Sequence, residues 1–331
     1  MNASEQLKLL AEGAASVLLT GPSSADGDSV GATLALADAI RQLGVSRVDV
    51  AADLVDRYRW MPGADDVLAN AQVTADYDLV IVMDGDRHRL AAQVEEAFNQ
   101  AKHTVIVDHH GTTDEAGYDL AILDPTAAAT CMQVMAILDA WESELTPAIA
   151  ENLYVGLIFD TGGFRYSNTK PSTLRVAARL LECGFDHARA ASRILMDKSL
   201  AGLRLHAAVL SETRFHADGQ IALGIASRER MERFGANGGD LDGLVESMLY
   251  VDGVEVSVLL VEKGPDAVKL SFRSRGLVDV AGLAKSLTHR GGGHAKAAGA
   301  FLEESVEALS ARLPEVGARA LAAARAGEES S

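Results

Sequence analysis

Leu79 to Met83 are five consecutive apolar residues that end directly at Asp84, and this pattern constrains the fold more than any other in the sequence. A short uninterrupted apolar run is typical of a strand buried on both faces of a parallel sheet. Thr104–Val107 has the same character and is followed by Asp108, His109 and His110. Open α/β sheets bind ligands at the carboxyl ends of their strands, so we expect these acidic and histidine side chains to converge there.

Strand and helix patterns alternate through the first half of the chain, which predicts a mainly parallel sheet with helices on both faces. The predicted strands are residues 17–20, 48–54, 79–83, 104–107 and 121–123. The predicted helices are residues 30–43, 126–141, a segment leading into Asp160, and 171–183. An amphipathic helix over 185–208 then precedes strands at 221–226, 254–261 and 268–272, which we assign to a second, smaller α/β domain. The predicted organisation is a first domain over 1–188, a helical linker over 189–210, a second domain over 211–325 and a flexible tail over 326–331.

Composition limits the classes of function. At 331 residues with 48% apolar content, the chain can bury two cores. A formal charge of -17 opposes binding to long duplex nucleic acid but allows a small phosphorylated substrate. Cys131 and Cys183 are interpreted as structural thiols without a disulfide framework. The sequence has neither a leader pattern nor a membrane-length apolar stretch, so we expect a cytoplasmic protein without a membrane partner.

Acidic residues and a double histidine in this arrangement favour a divalent metal site. Isolated aspartates near helix starts usually cap helices, and an isolated buried histidine is usually a hydrogen-bonded core residue. Capping does not explain so many strand-end carboxylates together with a histidine pair. Carboxylate oxygens suit Mn²⁺ and Mg²⁺, and imidazole shifts the preference towards Mn²⁺. The candidate residues are Asp26, Asp28, Asp84, Asp108, His109, His110 and Asp160.

The segments that carry these residues resemble the DHH phosphoesterase superfamily, which is named for an Asp-His-His triplet. The matching segments are Ala25–Gly31, Met83-Asp84, Asp108–His110 and Asp160–Phe164, and Gly291–Gly299 resembles the signature of the associated DHHA1 domain. The resemblance covers nearly the whole chain. It implies a parallel-sheet DHH domain followed by an α/β DHHA1 domain. It points to the branch with nano-RNases, 3'-phosphoadenosine 5'-phosphate phosphatases and dinucleotide phosphodiesterases.

The resemblance also implies roles for the candidate residues. Asp28, Asp84, His109 and Asp160 would hold one metal ion, while Asp26 and a bridging Asp84 would serve another. His110 would face the substrate phosphate, and Asp108 would orient a histidine. The implied cofactor is Mn²⁺, as one or two ions, with Mg²⁺ or Co²⁺ as alternatives.

One position departs from the family pattern. The first motif usually has a histidine four residues before its first aspartate, and Pro22 stands there in this chain. A single metal ion, a changed substrate and an inactive relative are the alternatives that this departure raises. His88, four residues after Asp84, would compensate only if it reached the metal, and its ordinary interpretation is a solvated side chain.

In the second domain, Gly291, Gly292 and Gly293 with His294 are predicted to bind a phosphate. Glycine allows close approach of the backbone, and exposed N–H groups can bind an anion. Arg273 follows the strand of residues 268–272 and can bind a terminal phosphate with two hydrogen bonds. A plain flexible turn is the alternative for the glycines, and Arg275 is interpreted as a solvated charge or an auxiliary contact.

We therefore expect a phosphohydrolase that degrades linear dinucleotides, nano-RNA or 3'-phosphoadenosine 5'-phosphate with metal-activated water. Its partners would be short oligonucleotides, and the sequence leaves a homodimer open. The alternatives are a cyclic-dinucleotide phosphodiesterase, then an enzyme acting on polyphosphate or pyrophosphate. A nucleotide-binding regulator that has lost catalysis is the alternative outside the enzyme class.

Overall fold

A computed structural model of the protein describes residues 2–328, with the side chains of residues 2–327. The chain divides into two compact units, one ending at Asp197 and the other beginning at Lys198. The predicted domain and linker boundaries at 188 and 210 stay predictions. The last helix runs to Glu328, so part of the predicted tail is helical and residues 329–331 lie outside the described residues.

The first unit contains one five-stranded sheet with helices on both faces. All strand pairs are parallel, in the order β2-β1-β3-β4-β5. Its elements in chain order are α1 (Ala3–Gly13), β1 (Ser16–Thr20), α2 (Gly27–Gln42), β2 (Arg47–Ala51), β3 (Leu79–Met83), α3 (Ala92–Gln100), β4 (His103–Asp108), β5 (Leu120–Leu123), α4 (Thr130–Trp141), α5 (Pro147–Asp160), α6 (Pro171–Glu182) and α7 (His187–Leu195).

Alternate strand residues fill two cores, one on each face of this sheet. Leu19 and Ile81 pack with α2, α4 and α5, whereas Leu18 and Val80 pack with Phe98 and the rest of α3. Because both faces are covered, the central strand β3 is apolar and buried at every position. The chain reverses direction across the sheet between β1 and β3, and such a switch point is where α/β sheets bind ligands. The predicted α/β class is confirmed.

The second unit contains a six-stranded mixed sheet in the order β10-β11-β9-β8-β7-β6. Only β7 and β8 are parallel among its paired strands, and the other pairs are antiparallel. Its elements are α8 (Leu200–Ser211), β6 (Arg214–His216), β7 (Ile221–Ala226), α9 (Arg228–Phe234), α10 (Leu244–Leu249), β8 (Val256–Gly264), β9 (Ala267–Ser274), α11 (Val280–Leu287), β10 (Gly291–His294), β11 (Ala297–Leu302) and α12 (Val306–Glu328).

Two cores also cover the faces of the second sheet. Phe272 and Leu270 pack with α11 and α12, while Leu259 and Val261 pack with α8 and α10. Side chains of β9 alternate between a buried face, which carries Leu270 and Phe272, and a partly exposed face, which carries Arg273. The second α/β domain is confirmed as a fold.

Several element boundaries differ from the sequence predictions. The helix expected from residue 126 begins at Thr130, because Ala129 is extended and the amides of the first helical residues turn towards Asp28. The helix expected over 185–208 is interrupted between Leu195 and Leu200, where Ser199 caps the second segment. The strand expected to reach residue 54 ends at Ala51.

Within residues 2–328, no helix has both the length and the apolar character needed to span a bilayer.

Candidate metal centre

Two aspartates at the start of α2 occupy different positions. Asp26 is the N-cap, and its Oδ1 accepts the backbone N–H groups of Asp28 (3.0 Å) and Ser29 (3.1 Å). Asp28 lies in the first turn and is fully buried. Its Oδ2 accepts the N–H of Thr130 (2.6 Å), and its Oδ1 accepts the N–H of Cys131 (3.0 Å). The capping role considered for an isolated aspartate therefore applies to Asp26, while α4 fixes the orientation of Asp28.

Asp84 lies immediately after β3 in an unusual backbone conformation. Its φ of 59° is left-handed, which aspartate tolerates better than most residues. Its N–H donates to the Val107 carbonyl (3.0 Å), and its Oδ1 accepts the Thr130 hydroxyl (3.0 Å). The same Oδ1 lies 3.6 Å from Nε2 of His109 and 3.7 Å from Nδ1 of His110. Asp84 is thus at the centre of the cluster.

His109 and Asp160 come from different elements and meet at the same place. Nε2 of His109 lies 3.1 Å from Oδ2 of Asp160, the last residue of α5. Nδ1 of His109 lies 3.4 Å from the Ala127 carbonyl, which orients the ring with Nε2 towards the carboxylates. Asn168 donates to the carbonyls of both Ala128 and Asp160 (each 3.1 Å) and so connects the two supporting loops.

Asp108 is buried behind the cluster and holds His110. Its Oδ1 accepts Nδ1 of His110 (2.7 Å) and the His110 N–H (3.1 Å), while Oδ2 accepts the Thr113 hydroxyl. Burial opposes the charged form, but these hydrogen bonds dominate and keep the pKa of Asp108 below its ordinary value. An ionised Asp108 fixes the ring orientation of His110.

The remaining carboxylates repel one another. Burial and the charges of Asp28 and Asp26 raise the pKa of Asp84 well above its ordinary range. Burial, with the charge of Asp28, raises the pKa of Asp160 to about 7. Burial disfavours charged His109, but its hydrogen bond with Asp160 and the charge of Asp28 outweigh this and raise its pKa to about 9. Bound protons therefore offset part of the negative charge in the protein without a metal.

These donors fit a divalent cation. Asp28, His109 and Asp160 form one group whose ligand atoms all lie within 4.8 Å of one another, and Asp84, His109 and His110 form a second such group. Carboxylate oxygens with imidazole nitrogen are suitable ligands for Mn²⁺ and related ions. The structure thus brings together Asp28, Asp84, His109, His110 and Asp160, with Asp108 behind them.

Other predicted ligands lie outside both donor groups. Asp26 is in neither group within residues 2–328. Pro22 is buried, and a proline side chain offers no ligand atom. His88 is exposed, lies 4.0 Å from Asp114 and belongs to neither of the groups found within residues 2–328.

In the second unit, the predicted phosphate residues lie on neighbouring strands. Arg273 is paired with Ala297, and Ala297 is paired with His294, so all three share one face of the sheet. Nε of Arg273 donates to Glu246 of α10 (2.7 Å). Arg275 differs from its interpretation as a solvated charge, because it donates to the carbonyls of Val254 (2.7 Å) and Leu249 (2.6 Å).

The three glycines form β10 rather than a loop, and two of them are required by packing. A Cβ on Gly291 would lie 2.2 Å from the carbonyl oxygen of Ala284 in α11. Gly293 has a φ of +135°, and a Cβ there would lie 2.5 Å from the Ala297 carbonyl oxygen. These contacts account for Gly291 and Gly293 without a bound phosphate.

Three residues that support the metal centre were not predicted from the sequence: Thr130, Asn168 and Gly156. A Cβ on Gly156 of α5 would lie 2.6 Å from Oδ1 of Asp28 and 2.3 Å from Sγ of Cys131. The contacts of Thr130 and Asn168 join segments distant in sequence, which no local pattern indicates. A glycine within an apolar helix was a visible signal, because it often marks a close packing contact.

Comparisons with known proteins agree with the two units. The profile of the DHH family, N-terminal domain, matches residues 16–157, and that of the DHHA1 domain matches residues 221–323. A Thermus thermophilus relative, bifunctional oligoribonuclease and PAP phosphatase NrnA, is 35% identical over 84% of this chain and 81% of its own length. The Bacillus subtilis protein of the same name is 29% identical over 59% of this chain and 61% of its own length. B. subtilis cyclic-di-AMP phosphodiesterase GdpP is 25% identical over 74% of this chain and 37% of its own length.

Solved structures show the same fold. An exopolyphosphatase-related protein from Bacteroides fragilis superposes with a TM-score of 0.87 at 24% identity, over 96% of this chain and 95% of that chain. RecJ from T. thermophilus, solved in complex with Mn²⁺, gives a TM-score of 0.56 at 16% identity, over 98% of this chain and 54% of that chain.

Proposed function

Because the chain belongs to the DHH family and has a DHHA1 domain, we propose that it is a metal-dependent phosphohydrolase of very short nucleotides. The substrates would be linear dinucleotides, nano-RNA or 3'-phosphoadenosine 5'-phosphate. The names of the T. thermophilus and B. subtilis relatives support both the oligoribonuclease and the phosphatase activity.

The observation that carries this proposal is the convergence of Asp28, Asp84, His109 and Asp160 at the switch point of a parallel sheet. Four side chains from four segments meet there, with hydrogen bonds that orient them. Without a metal ion, the like charges of this cluster are offset only in part, by bound protons on His109 and Asp160. A divalent ion held by these residues would polarise a phosphoryl oxygen and make water a better nucleophile.

The other side chains of the centre are assigned to orientation and substrate contact. Asp108 holds Nδ1 of His110 and fixes the ring orientation, and His110 is assigned to contact with a phosphoryl oxygen. Thr130 keeps Asp28 and Asp84 in place through its N–H and its hydroxyl. Mn²⁺ is the proposed ion, because imidazole accompanies the carboxylates, and Mg²⁺ or Co²⁺ are alternatives.

Arg273 and His294 are proposed to bind a distal phosphate of the substrate. They lie on one face, two strands apart across Ala297, which corresponds to about 10 Å at the usual strand spacing. Glu246 accepts from Nε of Arg273, and the Phe272 carbonyl accepts from Nη1 (2.9 Å), so Nη2 is the nitrogen proposed to donate to a phosphate oxygen. Gly292 and the N–H groups of β10 lie beside His294 in the same proposed subsite. A cytoplasmic location, a homodimer and exclusion of long duplex nucleic acid remain predictions.

The test is a panel of pApA, a five-residue oligoribonucleotide, cyclic di-AMP and 3'-phosphoadenosine 5'-phosphate across a Mn²⁺ titration. We expect turnover of the linear dinucleotide and of 3'-phosphoadenosine 5'-phosphate. Asp84→Ala should abolish it, whereas Asp114→Ala, an exposed loop aspartate outside both donor groups, should retain it. Turnover that survives Asp84→Ala would contradict the proposed site.

The panel also separates the alternatives. Preferred turnover of cyclic di-AMP would favour the phosphodiesterase alternative, for which the match to GdpP is the supporting observation. Binding of nucleotides without turnover of any compound would favour a regulator that has lost catalysis.

A further inference from the structure

The edge of the metal centre that faces β1 and the turn after β3 is poor in metal ligands. Asp26 is outside both donor groups found within residues 2–328. Pro22, two residues beyond the end of β1, supplies no donor. Ser23 is exposed, and its N–H donates to the Arg89 carbonyl (2.8 Å). This edge therefore does not provide a third side chain that would complete an ion site with Asp26 and Asp84.

A cationic side chain lies at the same edge. A Cβ on Gly85, the residue after Asp84, would lie 3.2 Å from Nη1 of Arg89 and 3.6 Å from two carbons of the Pro22 ring. The guanidinium of Arg89 and the proline ring therefore both lie on the side of Gly85 where a side chain would be. Arg89 is exposed, and its head group makes no hydrogen bond or ion pair with the residues that the structure describes. The contact between its carbonyl and Ser23 keeps its turn docked on the loop after β1.

We propose that the chain binds a single divalent ion through Asp28, Asp84, His109 and Asp160, and that Arg89 supplies the second positive charge for the substrate phosphate. A guanidinium is always charged and can donate two parallel hydrogen bonds to phosphate oxygens. The guanidinium of Arg89 would also repel a second divalent ion from the edge of the metal centre that faces β1 and the turn after β3. The inference rests on the proposed function for the substrate, but both of its parts can be measured without turnover.

The first measurement is the number of Mn²⁺ ions bound per chain. Metal-free protein is titrated with Mn²⁺, and binding is monitored by calorimetry and by electron paramagnetic resonance. We expect one tight Mn²⁺ per chain and no spin-coupled pair. Pro22→His adds an imidazole at the edge, and combined with Arg89→Gln it should allow a second Mn²⁺ to bind. Two tight Mn²⁺ ions in the unmodified protein would overturn the proposal.

The second measurement is the affinity of the Mn²⁺-loaded protein for inorganic phosphate and for pApA at a temperature where turnover is slow. Arg89→Gln should weaken phosphate binding by about 10- to 100-fold, the usual effect of losing hydrogen bonds to a charged group. The number of bound Mn²⁺ ions should not change. Arg89→Lys should recover part of the affinity, because the charge remains while the paired donors are lost.

Arg87→Gln is the matched control. It belongs to the same turn, but its guanidinium lies against Gly117, where a Cβ would be 2.7 Å from Nη1. We expect its phosphate affinity to equal that of the unmodified protein. Equal losses in Arg87→Gln and Arg89→Gln, or no loss in either, would overturn the role of Arg89. Because neither readout is hydrolysis, a protein that turns over no compound in the panel would still give a clear result.

Discussion

Thr130 connects two acidic side chains of the metal centre with a single residue. Its N–H donates to Asp28 (2.6 Å), and its hydroxyl donates to Asp84 (3.0 Å). Thr130→Val keeps the N–H and nearly the same volume but removes the hydroxyl, so Asp84 loses a partner that orients it. We expect Mn²⁺ affinity to fall about 10- to 100-fold, as is usual when residues that orient metal ligands are changed. Calorimetric titration of metal-free protein measures this.

Thr33→Val is the matched control for that substitution. Thr33 is also a buried threonine, but its hydroxyl donates to the Ser29 carbonyl (2.6 Å) within α2. We expect Thr33→Val to affect only the thermal stability of the protein and to leave its Mn²⁺ affinity unchanged. If both variants lost Mn²⁺ affinity equally, the hydroxyl of Thr130 would have no specific role.

The carboxyl and imidazole groups of the centre predict how the metal-free protein responds to pH. The pKa of Asp160 rises from 3.8 to about 7, and that of His109 rises from 6.5 to about 9. Between the ordinary pKa and the raised pKa of each group, the folded protein binds more protons than the unfolded chain. The free energy of unfolding of the metal-free protein should therefore fall as pH rises from about 5 to 9. Asp108, whose pKa is lowered, titrates below this range.

Thermal unfolding in a chelator across this pH range is the measurement. Mn²⁺ must displace the same protons, so its affinity and the stabilisation that it gives should increase with pH. Asp160→Asn should flatten the pH dependence between about pH 5 and 7, because it removes the group that titrates there. A metal-free melting temperature that rises steadily to pH 9 would contradict these pKa directions.

For single residues, the candidate ligands were predictable from the sequence, but the residues that orient them were not. Asp84 and His109 follow apolar strands, so a local pattern was enough to nominate them. Thr130 acts on residues 46 and 102 positions away, and a threonine at the start of a helix carries no sign of those contacts. The role of Asp26 was ambiguous, because an aspartate before a helix can be either a cap or a ligand.

At the scale of elements, the close packing of α2 on α5 sets the position of Asp28. A Cβ on Gly156 of α5 would lie 2.6 Å from Oδ1 of Asp28, and one on Gly31 of α2 would lie 2.3 Å from the Asn152 carbonyl oxygen. The two helices can approach this closely only because both residues lack a Cβ. Apolar patterns identified both helices, whereas the distance between them depends on these two glycines together.

Gly156→Ala is therefore expected to displace Asp28 or to separate the helices. Overpacking of a buried contact costs about 1–3 kcal/mol of unfolding free energy. We expect a loss of that size in urea unfolding, together with weaker Mn²⁺ binding. Gly13→Ala at the end of α1 is the control, because a Cβ there meets nothing within 4 Å. Unchanged Mn²⁺ affinity in Gly156→Ala would show that Asp28 does not depend on this packing.

The boundaries of helices were the least predictable part of the fold, and the reason is tertiary. Alanine-rich sequence from residue 126 is compatible with helix, yet α4 begins only at Thr130, where its first amides meet Asp28. Met196 to Ser199 interrupt an amphipathic pattern that local propensity would have continued. At Thr130 the contact with Asp28 decides where α4 starts, and after Leu195 the Ser199 hydroxyl both caps α8 and donates to Asp240 (2.5 Å).

At the scale of the whole molecule, each unit has its own sheet and its own buried cores. Composition and the change of pattern after residue 208 were enough to predict two domains. The two donor groups found within residues 2–328 both belong to the first unit. Metal binding should therefore stabilise the two units unequally, because a ligand stabilises only the folded state to which it binds.

Scanning calorimetry of the full chain with and without Mn²⁺ tests this. We expect two transitions, of which one rises by roughly 5–10 °C when Mn²⁺ is present at about a hundred times its Kd. The other transition, assigned to the second unit, should not move. In Asp84→Ala the shift of the first transition should be largely lost, because Asp84 lies at the centre of the cluster. A Mn²⁺-dependent shift of both transitions by the same amount would instead mean that the units unfold together or that the second unit also binds the ion.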